Sequence, residues 1–372
     1  MRFCACAWVV LDGRDSDTFR TGREGEIVQA IGASNADYCL TGDCLCVRLS
    51  DMTPRPLLAR PAATFFLLIV LCLFAGITRA EWQRDDTTIA WRDAGGNVVW
   101  KFSFDPQKGK PFFHPISTGG PAFTNFKPED HPWHYGLWFS WKYINKVNYW
   151  EEDRETGKAE GSTRWSTPEI EAKPDGSAVI KFDVTYTHPS GRVDMTEQRN
   201  VRISAPQADG SYAIDWRSSF TAGKVGAILD RTPMPDEPDG KVNGGYAGLG
   251  LRMASSPLGY KVVSSIGPVN RFVSDRARPA APAVACNFTD GDKDIGGIAI
   301  FSDPANSGEN APWYIINSVQ MRFVCAAVLA PKIITLPADG KMDLHYQIAV
   351  RPKAWTPEAL QEGQTEWMQT SR

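Results

Sequence analysis

Apolar and polar residues alternate with a period of two over several segments of this chain. In residues 178–188, four alternate positions are apolar: Ile180, Phe182, Val184 and Tyr186. Residues 97–105 and 341–350 repeat the pattern. Because successive side chains of a strand point to opposite faces, this alternation predicts antiparallel strands with one buried face.

Shorter apolar runs continue the series, and turn sequences such as Pro-Asp-Gly and Ala-Asp-Gly separate them. The runs lie at 201–204, 212–221, 261–266, 297–301 and 312–317. Many strands at short spacing, joined by turns rich in Gly and Pro, predict an all-β fold, a large antiparallel β-sandwich formed by residues 81–372 as a single domain. A short C-terminal helix is also expected, since Thr356 is a favourable N-cap and Pro357 suits the first turn.

Residues 62–77 form an apolar segment without a charge that the strand pattern does not explain. Arg55 and Arg60 precede it, and Thr78-Arg79-Ala80 follows. A basic region, an apolar core and small residues before a cleavage point predict a secretory signal peptide over residues 52–80. The protein would then be exported to the periplasm or the extracellular space, with no stable membrane insertion after cleavage. The alternative is a membrane anchor formed by residues 62–77.

Residues 1–51 precede this predicted signal, although a signal peptide begins close to its initiating Met. The segment shows no sustained periodicity. We therefore predict that translation starts at Met52 and that residues 1–51 are a disordered gene-model extension. Five of the eight Cys belong to this extension, and only Cys286 and Cys325 lie in the predicted domain. For these two cysteines, the sequence allows either a disulfide bond or a pair of buried free thiols.

The charge balance and the Trp content narrow the choice of partners. The 372 residues include 40 Lys+Arg and 43 Asp+Glu, which gives a net charge of −3 and no basic surplus for nucleic acid. Of the 13 Trp, eight lie between Trp82 and Trp165. This part of the chain also holds most of the residues with candidate chemistry.

Residues 112–152 combine aromatic rings, imidazoles and carboxylates: His114, Asp130, His131, Trp133, His134, Trp150 and Glu151. Sugars stack their apolar faces on rings, and their hydroxyls need fixed polar partners, so this mixture is typical of a carbohydrate site. Core packing is the alternative for Trp138 and Trp141, whose spacing also fits a buried strand.

We assign roles to these residues from their chemistry. His131 and His134 would act as acid or base, because an imidazole exchanges a proton near neutral pH. Glu197 or Glu151 would supply a partner carboxylate, although an ion pair with Arg199 is the structural alternative for Glu197. Substrate would be bound by six residues: Trp133, Trp150, Tyr246, Arg252, Asp130 and His114.

A metal ion is the alternative for the histidines. His131 and His134 stand three residues apart, but zinc also needs a third protein ligand, and Pro132 argues against the helix that such pairs usually occupy. We therefore expect no cofactor, with a single metal ion at His131 and His134 as the alternative.

Several strings resemble a known family, the PmoA-like family, a bacterial domain of unknown function labelled as a methane oxygenase. They are Glu129–Trp141 (EDHPWHYGLWFSW), Val147–Glu151, Leu229–Pro233, Gly244–Gly248 and Pro312-Trp313. The resemblance implies a galactose-mutarotase-like β-supersandwich, a fold shared by sugar epimerases and polysaccharide-active enzymes. It supplies no catalytic residues to carry over.

The hypothesis from sequence is an exported carbohydrate-active protein that binds and processes a sugar by His/Glu acid–base chemistry. Hydrolysis, epimerisation and elimination all use such paired groups. One alternative is a non-catalytic carbohydrate-binding module of the cell envelope. A second is a metal-dependent oxidoreductase, as the label of the family suggests.

Overall fold

The computed structural model describes residues 79–255 and 257–370, together with five strands in a separate N-terminal unit, Met1–Gly76. These strands are β1 (Ala7–Leu11), β2 (Thr18–Arg20), β3 (Ile27–Gln29), β4 (Asp37–Thr41) and β5 (Cys44–Arg48). They form an antiparallel sheet in the order β3-β2-β1-β4-β5. The predicted signal peptide or anchor at 52–80 lies almost entirely outside the described residues. It stays a prediction, as does the gene-model extension at 1–51.

The second unit is built from antiparallel sheets, the larger two of nine and ten strands. The nine-stranded sheet contains β6 (Glu81–Arg84), β7 (Thr88–Arg92), β8 (Val98–Ser103), β9 (Phe112–Ile116), β10 (Leu137–Ser140), β19 (Gly248–Arg252), β22 (Arg276–Ala277), β25 (Trp313–Asn317) and β26 (Arg322–Ala326). Its order is β22-β25-β26-β19-β10-β9-β8-β7-β6, so segments distant in sequence meet at its centre.

The ten-stranded sheet carries the longest strands. It contains β13 (Ser162–Trp165), β14 (Glu169–Ala172), β15 (Ala178–Thr187), β16 (Val193–Ile203), β17 (Tyr212–Ala222), β20 (Gly259–Ser264), β21 (Gly267–Pro268), β23 (Ala283–Asp290), β24 (Lys293–Ser302) and β28 (Lys341–Arg351). The order is β13-β15-β16-β17-β28-β24-β23-β20-β21, with β14 paired to β15. A four-stranded sheet, β12-β11-β18-β27, joins β11 (Tyr143–Ile144), β12 (Val147–Asn148), β18 (Ala227–Asp230) and β27 (Ile334–Leu336).

The main core lies between the two large sheets. Phe102 of β8 contacts Phe182 of β15 at a ring-centroid distance of 5.9 Å, and Phe113 of β9 contacts Trp216 of β17 at 6.3 Å. The four residues predicted to face inward from residues 178–188 are all buried in this core: Ile180, Phe182, Val184 and Tyr186. The predicted all-β antiparallel sandwich is therefore confirmed.

The predicted C-terminal helix is also present. The structure has α1 (Pro304–Ser307) and α2 (Pro357–Thr370), and Oγ1 of Thr356 accepts the N–H of Ala359 at 3.2 Å as an N-cap. Leu360 and Trp367 of α2 pack on the outer face of the ten-stranded sheet. Across the described residues, no helix is long and apolar enough to cross a membrane.

The two cysteines of this unit are free, buried thiols. Cys286 lies in the main core, with its Sγ 3.1 Å from the hydroxyl of Tyr260. Cys325 lies on the opposite face of the nine-stranded sheet. Of the two possibilities left open by the sequence, the structure has the buried thiols.

Candidate functional site

A second aromatic cluster covers the outer face of the nine-stranded sheet, opposite the main core. We call its seven rings the aromatic floor: Phe112, Tyr135, Trp138, Trp150, Tyr246, Tyr314 and Phe323. Strand alternation separates it from the core, since Leu137 and Phe139 of β10 face the core while Trp138 between them faces outward. Gly250 of β19 leaves room for this indole, because a Cβ there would lie 3.1 Å from two Trp138 ring atoms.

The loop that carries the histidines connects β9 to β10 and lies at the edge of the aromatic floor. It closes through backbone bonds: the N–H of His134 donates to the carbonyl of His131 at 3.0 Å, and the N–H of Lys127 to that of His134 at 2.8 Å. Gly136 then turns the chain into β10 with a φ of 78°. A Cβ at that position would lie 2.4 Å from the carbonyl oxygen of Phe113, so this turn requires Gly.

Asp130 lies between His131 and Arg252. Its Oδ2 accepts from Nδ1 of His131 at 2.8 Å, and its Oδ1 accepts from Nη2 of Arg252 at 2.8 Å. Partial burial opposes ionisation of Asp130, but the two partners outweigh it and hold the pKa of this carboxyl below its usual value. Within the described residues, Nε2 of the half-exposed His131 has no protein hydrogen bond, and it is therefore available to a substrate.

His134 differs from His131 because it is buried, with 2% of its surface exposed. Its ring stacks on His131 and on Phe323, each at a centroid distance of 4.8 Å. Burial, with the electrostatic influence of His131, Arg252 and Lys110, lowers the pKa of His134 well below its ordinary value. Nη1 of Arg252 lies 3.4 Å from Nδ1, and a guanidinium only donates, so neutral His134 carries its proton on Nε2.

Two consecutive carboxylates lie beside the floor, each held by a lysine and a tyrosine. Glu151 accepts from Nζ of Lys142, from the hydroxyl of Tyr246 and, at 2.6 Å, from Nδ2 of Asn148. Burial raises its pKa, but Lys142 and these donors outweigh burial and leave the pKa of Glu151 lowered. Glu151 is thus ionised near neutral pH and accepts hydrogen bonds rather than donating a proton.

Glu152 forms the matching network on the other side. It accepts from Nζ of Lys110 at 2.5 Å and from the hydroxyl of Tyr135. Burial and the adjacent carboxylate raise the pKa of Tyr135, as they do for Tyr246 beside Glu151, so both phenols stay protonated donors. Sequence reasoning assigned no role to Lys110, Tyr135, Lys142 and Glu152. Residues 110–152 hold four lysines and four carboxylates, and this supply of possible ion pairs was the signal that could have found them.

The aromatic residues predicted to bind substrate have different environments. Trp133 is half-buried, with its ring 5.5 Å from the guanidinium carbon of Arg154, and it remains accessible to a ligand. Trp150 is only 1% exposed and packs between His134 and Tyr246, so it supports the floor rather than offering an open ring. His114 stacks on Phe126 at 5.7 Å, and its Nδ1 lies 2.9 Å from the hydroxyl of Thr124.

Glu197 does not join the histidines, contrary to the expectation of a catalytic role. It lies in β16 of the ten-stranded sheet with a side chain that is 0% exposed. Its carboxylate accepts from Arg199 at 2.6 and 2.8 Å, from the hydroxyl of Tyr186 at 2.7 Å and from that of Ser218 at 2.6 Å. This saturated, buried network makes Glu197 a structural ion pair, and we remove it from the site. Trp141 likewise packs in the main core.

The two histidines supply fewer protein ligands than the three that a zinc site needs. Among the described residues, no group of three or more His, Cys, Asp and Glu side chains is arranged to hold one. Nδ1 of His131 is engaged by Asp130, and Nδ1 of His134 faces the guanidinium of Arg252, so only the Nε2 atoms of the two rings are left as possible ligands.

One family model matches most of the chain. It covers residues 92–364 and describes a family of unknown function, DUF6807. The chain belongs to this family. The DUF6807 match gives no support for the PmoA-like label, and no curated protein matches the chain.

The chain also matches solved structures at low sequence identity. One is a structure assigned as an aldose 1-epimerase, from Klebsiella pneumoniae subsp. pneumoniae MGH 78578. Its TM-score is 0.40 at 7% identity, and the match covers 76% of this DUF6807 chain and 88% of the other chain. A galactose mutarotase-like protein from Clostridium acetobutylicum has a TM-score of 0.34 at 11% identity, over 74% and 94%. The α-galactosidase from Lactobacillus brevis has a TM-score of 0.41 at 8% identity, over 74% of this chain and only 40% of the enzyme.

Proposed function

We propose that the protein binds a carbohydrate over the aromatic floor and exchanges a proton with it through His131. The observation that carries this proposal is the pair formed by Asp130 and His131. The carboxylate fixes the proton on Nδ1 and leaves Nε2 as the free nitrogen of a half-exposed ring. An oriented imidazole of this kind is a general acid or base.

The neighbouring residues complete the proposed site. Trp133 offers a half-buried ring on which the apolar face of a sugar can stack. Glu151 supplies a fixed acceptor and neutral His134 supplies a donor for sugar hydroxyls. The hydroxyl of Tyr246 donates its proton to Glu151, and its oxygen can accept from the sugar. The reaction class is hydrolysis, epimerisation or elimination at a sugar, and export remains part of the proposal.

The experiment is a turnover screen with purified protein on a panel of sugars and oligosaccharides, followed by NMR for anomer exchange, epimerised products and cleaved or unsaturated products. His131→Asn should lower kcat by roughly a hundredfold or more, which is the usual contribution of a general acid or base. His188→Asn is the matched control, because His188 lies in a turn and bonds to Ser190. Full turnover in His131→Asn would remove this residue from the mechanism.

A non-catalytic sugar-binding module is the second candidate, favoured by one observation. Both carboxylates beside the floor, Glu151 and Glu152, are held by lysine and tyrosine partners, which leaves His131 without an open carboxyl group as catalytic partner. This candidate predicts binding on the same panel without turnover, and binding that survives His131→Asn.

A further inference from the structure

Two arginines lie at one end of the aromatic floor: Arg276 on the edge strand β22, and Arg278 directly after this strand. This strand pairs with β25, and Ala277 between the two arginines is buried in the main core. Alternation therefore directs Arg276 and Arg278 to the outer face, where Tyr314 of β25 belongs to the floor. Both arginines contact this tyrosine.

The contacts of these guanidinium groups involve neutral oxygens. Nε of Arg276 donates to the hydroxyl of Tyr314 at 3.2 Å, and Nη1 donates to the carbonyl of Ser274 at 2.5 Å. Nη2 of Arg278 donates to the carbonyls of Val242 at 2.7 Å and Gly244 at 2.9 Å, while its buried Nε has no partner. Neither arginine forms an ion pair with a carboxylate of the described residues.

A cavity of about 320 Å³ lies beside this pair, and Arg278, Tyr314, Asp236 and Glu237 contribute to its wall. Glu237 is already bonded to Nη2 of Arg231 at 2.5 Å and to the N–H of Met234 at 2.7 Å. Asp236 also lies in the wall and its charge acts on Arg278, but the two side chains form no direct ion pair. The cavity therefore offers a guanidinium group that no carboxylate contacts directly.

We propose that Arg276 and Arg278 form a subsite for an anionic group on the sugar, a uronate carboxylate or a sulfate ester. This proposal rests on the function proposed above. A partly buried charge without a counter-ion in direct contact is unfavourable, and the planar fork of a guanidinium matches the oxygens of both groups. Arg252 shows the contrast, because Asp130 already neutralises it.

The position of the subsite fits a substrate that also reaches the histidines. Phe323 links the two regions, with its ring centroid 4.8 Å from that of His134 and 6.2 Å from that of Tyr314. Tyr314 itself is only 2% exposed, and the guanidinium carbon of Arg278 lies 5.0 Å from its ring centroid, so the tyrosine supports the arginine rather than offering a face for stacking. An acidic oligosaccharide along the floor would then place its charged group at one end and its reacting carbon near His131.

The test is calorimetric binding of paired oligosaccharides that differ only in charge. Uronate oligosaccharides are compared with their carboxyl-reduced forms, and sulfated oligosaccharides with their desulfated forms, which separates the two sources of the anion. An acidic member should bind roughly tenfold to a hundredfold more tightly than its neutral counterpart, as expected for a charge-assisted hydrogen bond. Arg276→Gln and Arg278→Lys should each reduce this ratio, and the double variant with Gln at both positions should abolish it.

Arg202→Gln, on the exposed outer face of the ten-stranded sheet, is the control and should keep the wild-type ratio. Thermal unfolding of each variant identifies a loss of fold, and Arg278→Lys retains a charge near the loop carbonyls. Equal affinity for acidic and neutral forms, or an unchanged ratio in the arginine variants, would overturn the subsite. Binding of acidic sugars without turnover would overturn only the catalytic proposal, whereas turnover of neutral sugars without charge preference would overturn only the subsite.

Discussion

Nδ1 of His131 donates a 2.8 Å hydrogen bond to Oδ2 of Asp130. The same carboxylate accepts from Arg252 through its other oxygen, so Asp130 is fixed from two sides. Arg252 is buried in the sheet, with 1% of its surface exposed, and it ties the histidine loop to β19. The orientation of His131 thus depends, through Asp130, on an arginine that lies 122 positions after Asp130 in sequence.

Asp130→Asn should disturb this orientation while leaving the loop closed. The amide offers a donor where His131 or Arg252 requires an acceptor, so either the imidazole turns to its other tautomer or the arginine loses its partner. We expect kcat on the substrate identified by the screen to fall by roughly a hundredfold, with a smaller change in KM. Glu129→Gln changes the exposed neighbouring carboxylate and should behave as wild type; an equal loss in both variants would contradict the role of Asp130.

Lys142→Met should destabilise the protein by leaving Glu151 without its cation. The Lys142 side chain is 5% exposed and that of Glu151 26% exposed, so water replaces the lost ion pair only in part. The free energy of unfolding should fall by about 2 kcal/mol, below the range for fully buried pairs because Glu151 is partly exposed. Urea denaturation measures this change.

Lys224→Met provides the comparison for that measurement. Lys224 pairs with Asp339 on the surface, where the two side chains are 87% and 61% exposed. Exposed pairs contribute little to stability. A loss of stability in Lys224→Met as large as in Lys142→Met would show that burial of the Glu151 pair has no special effect.

The strands were predictable from sequence because burial of one face imposes the alternation that residues 178–188 display. The environment of Trp150 was not predictable in this way. Its neighbours His134 and Tyr246 come from separate loops, which meet only after β10 and β19 pair in the nine-stranded sheet. The sequence predicted that Trp150 binds a sugar, but the packing of this ring in the aromatic floor depends on pairing between distant segments.

The environment of the charged residue Glu197 was also not predictable from sequence alone. The pattern around it allowed a catalytic base or an ion pair with Arg199, and the choice depends on Tyr186 and Ser218 from neighbouring strands. Glu197→Gln should therefore lower the free energy of unfolding by roughly 3 kcal/mol, because it leaves a buried guanidinium without its counter-ion. The folded fraction should keep wild-type kcat. A stable variant without turnover would return Glu197 to the catalytic residues.

The N-terminal prediction is tested on the native protein. Edman sequencing or mass spectrometry of material purified from the source should find a first residue of Glu81, as expected for cleavage after Ala80. A start at Met52 would indicate an uncleaved anchor. A peptide from residues 1–51 would show that translation begins upstream and would contradict the proposed start codon.

Stability should fall as the pH decreases from neutral, in part because of His114. Burial, with a contribution from the charge of Lys101, lowers the pKa of His114 from 6.5 to about 4. Above pH 6.5 the ring is neutral in both the folded and the unfolded chain, so it adds no pH dependence there. Between the two pKa values the unfolded chain binds a proton that the folded chain does not, and folding becomes less favourable as the pH falls.

The loss attributable to His114 levels off below the folded pKa of about 4, where both states bind the proton. His134 acts in the same direction, since burial and nearby cations lower its pKa as well. Urea denaturation of wild type and His114→Gln, compared at about pH 7 and about pH 5, measures the effect. The variant should lose less stability over this interval than wild type, because one of the two buried imidazoles no longer opposes folding in acid. An equal or steeper decline in His114→Gln would show that other groups cause the pH dependence.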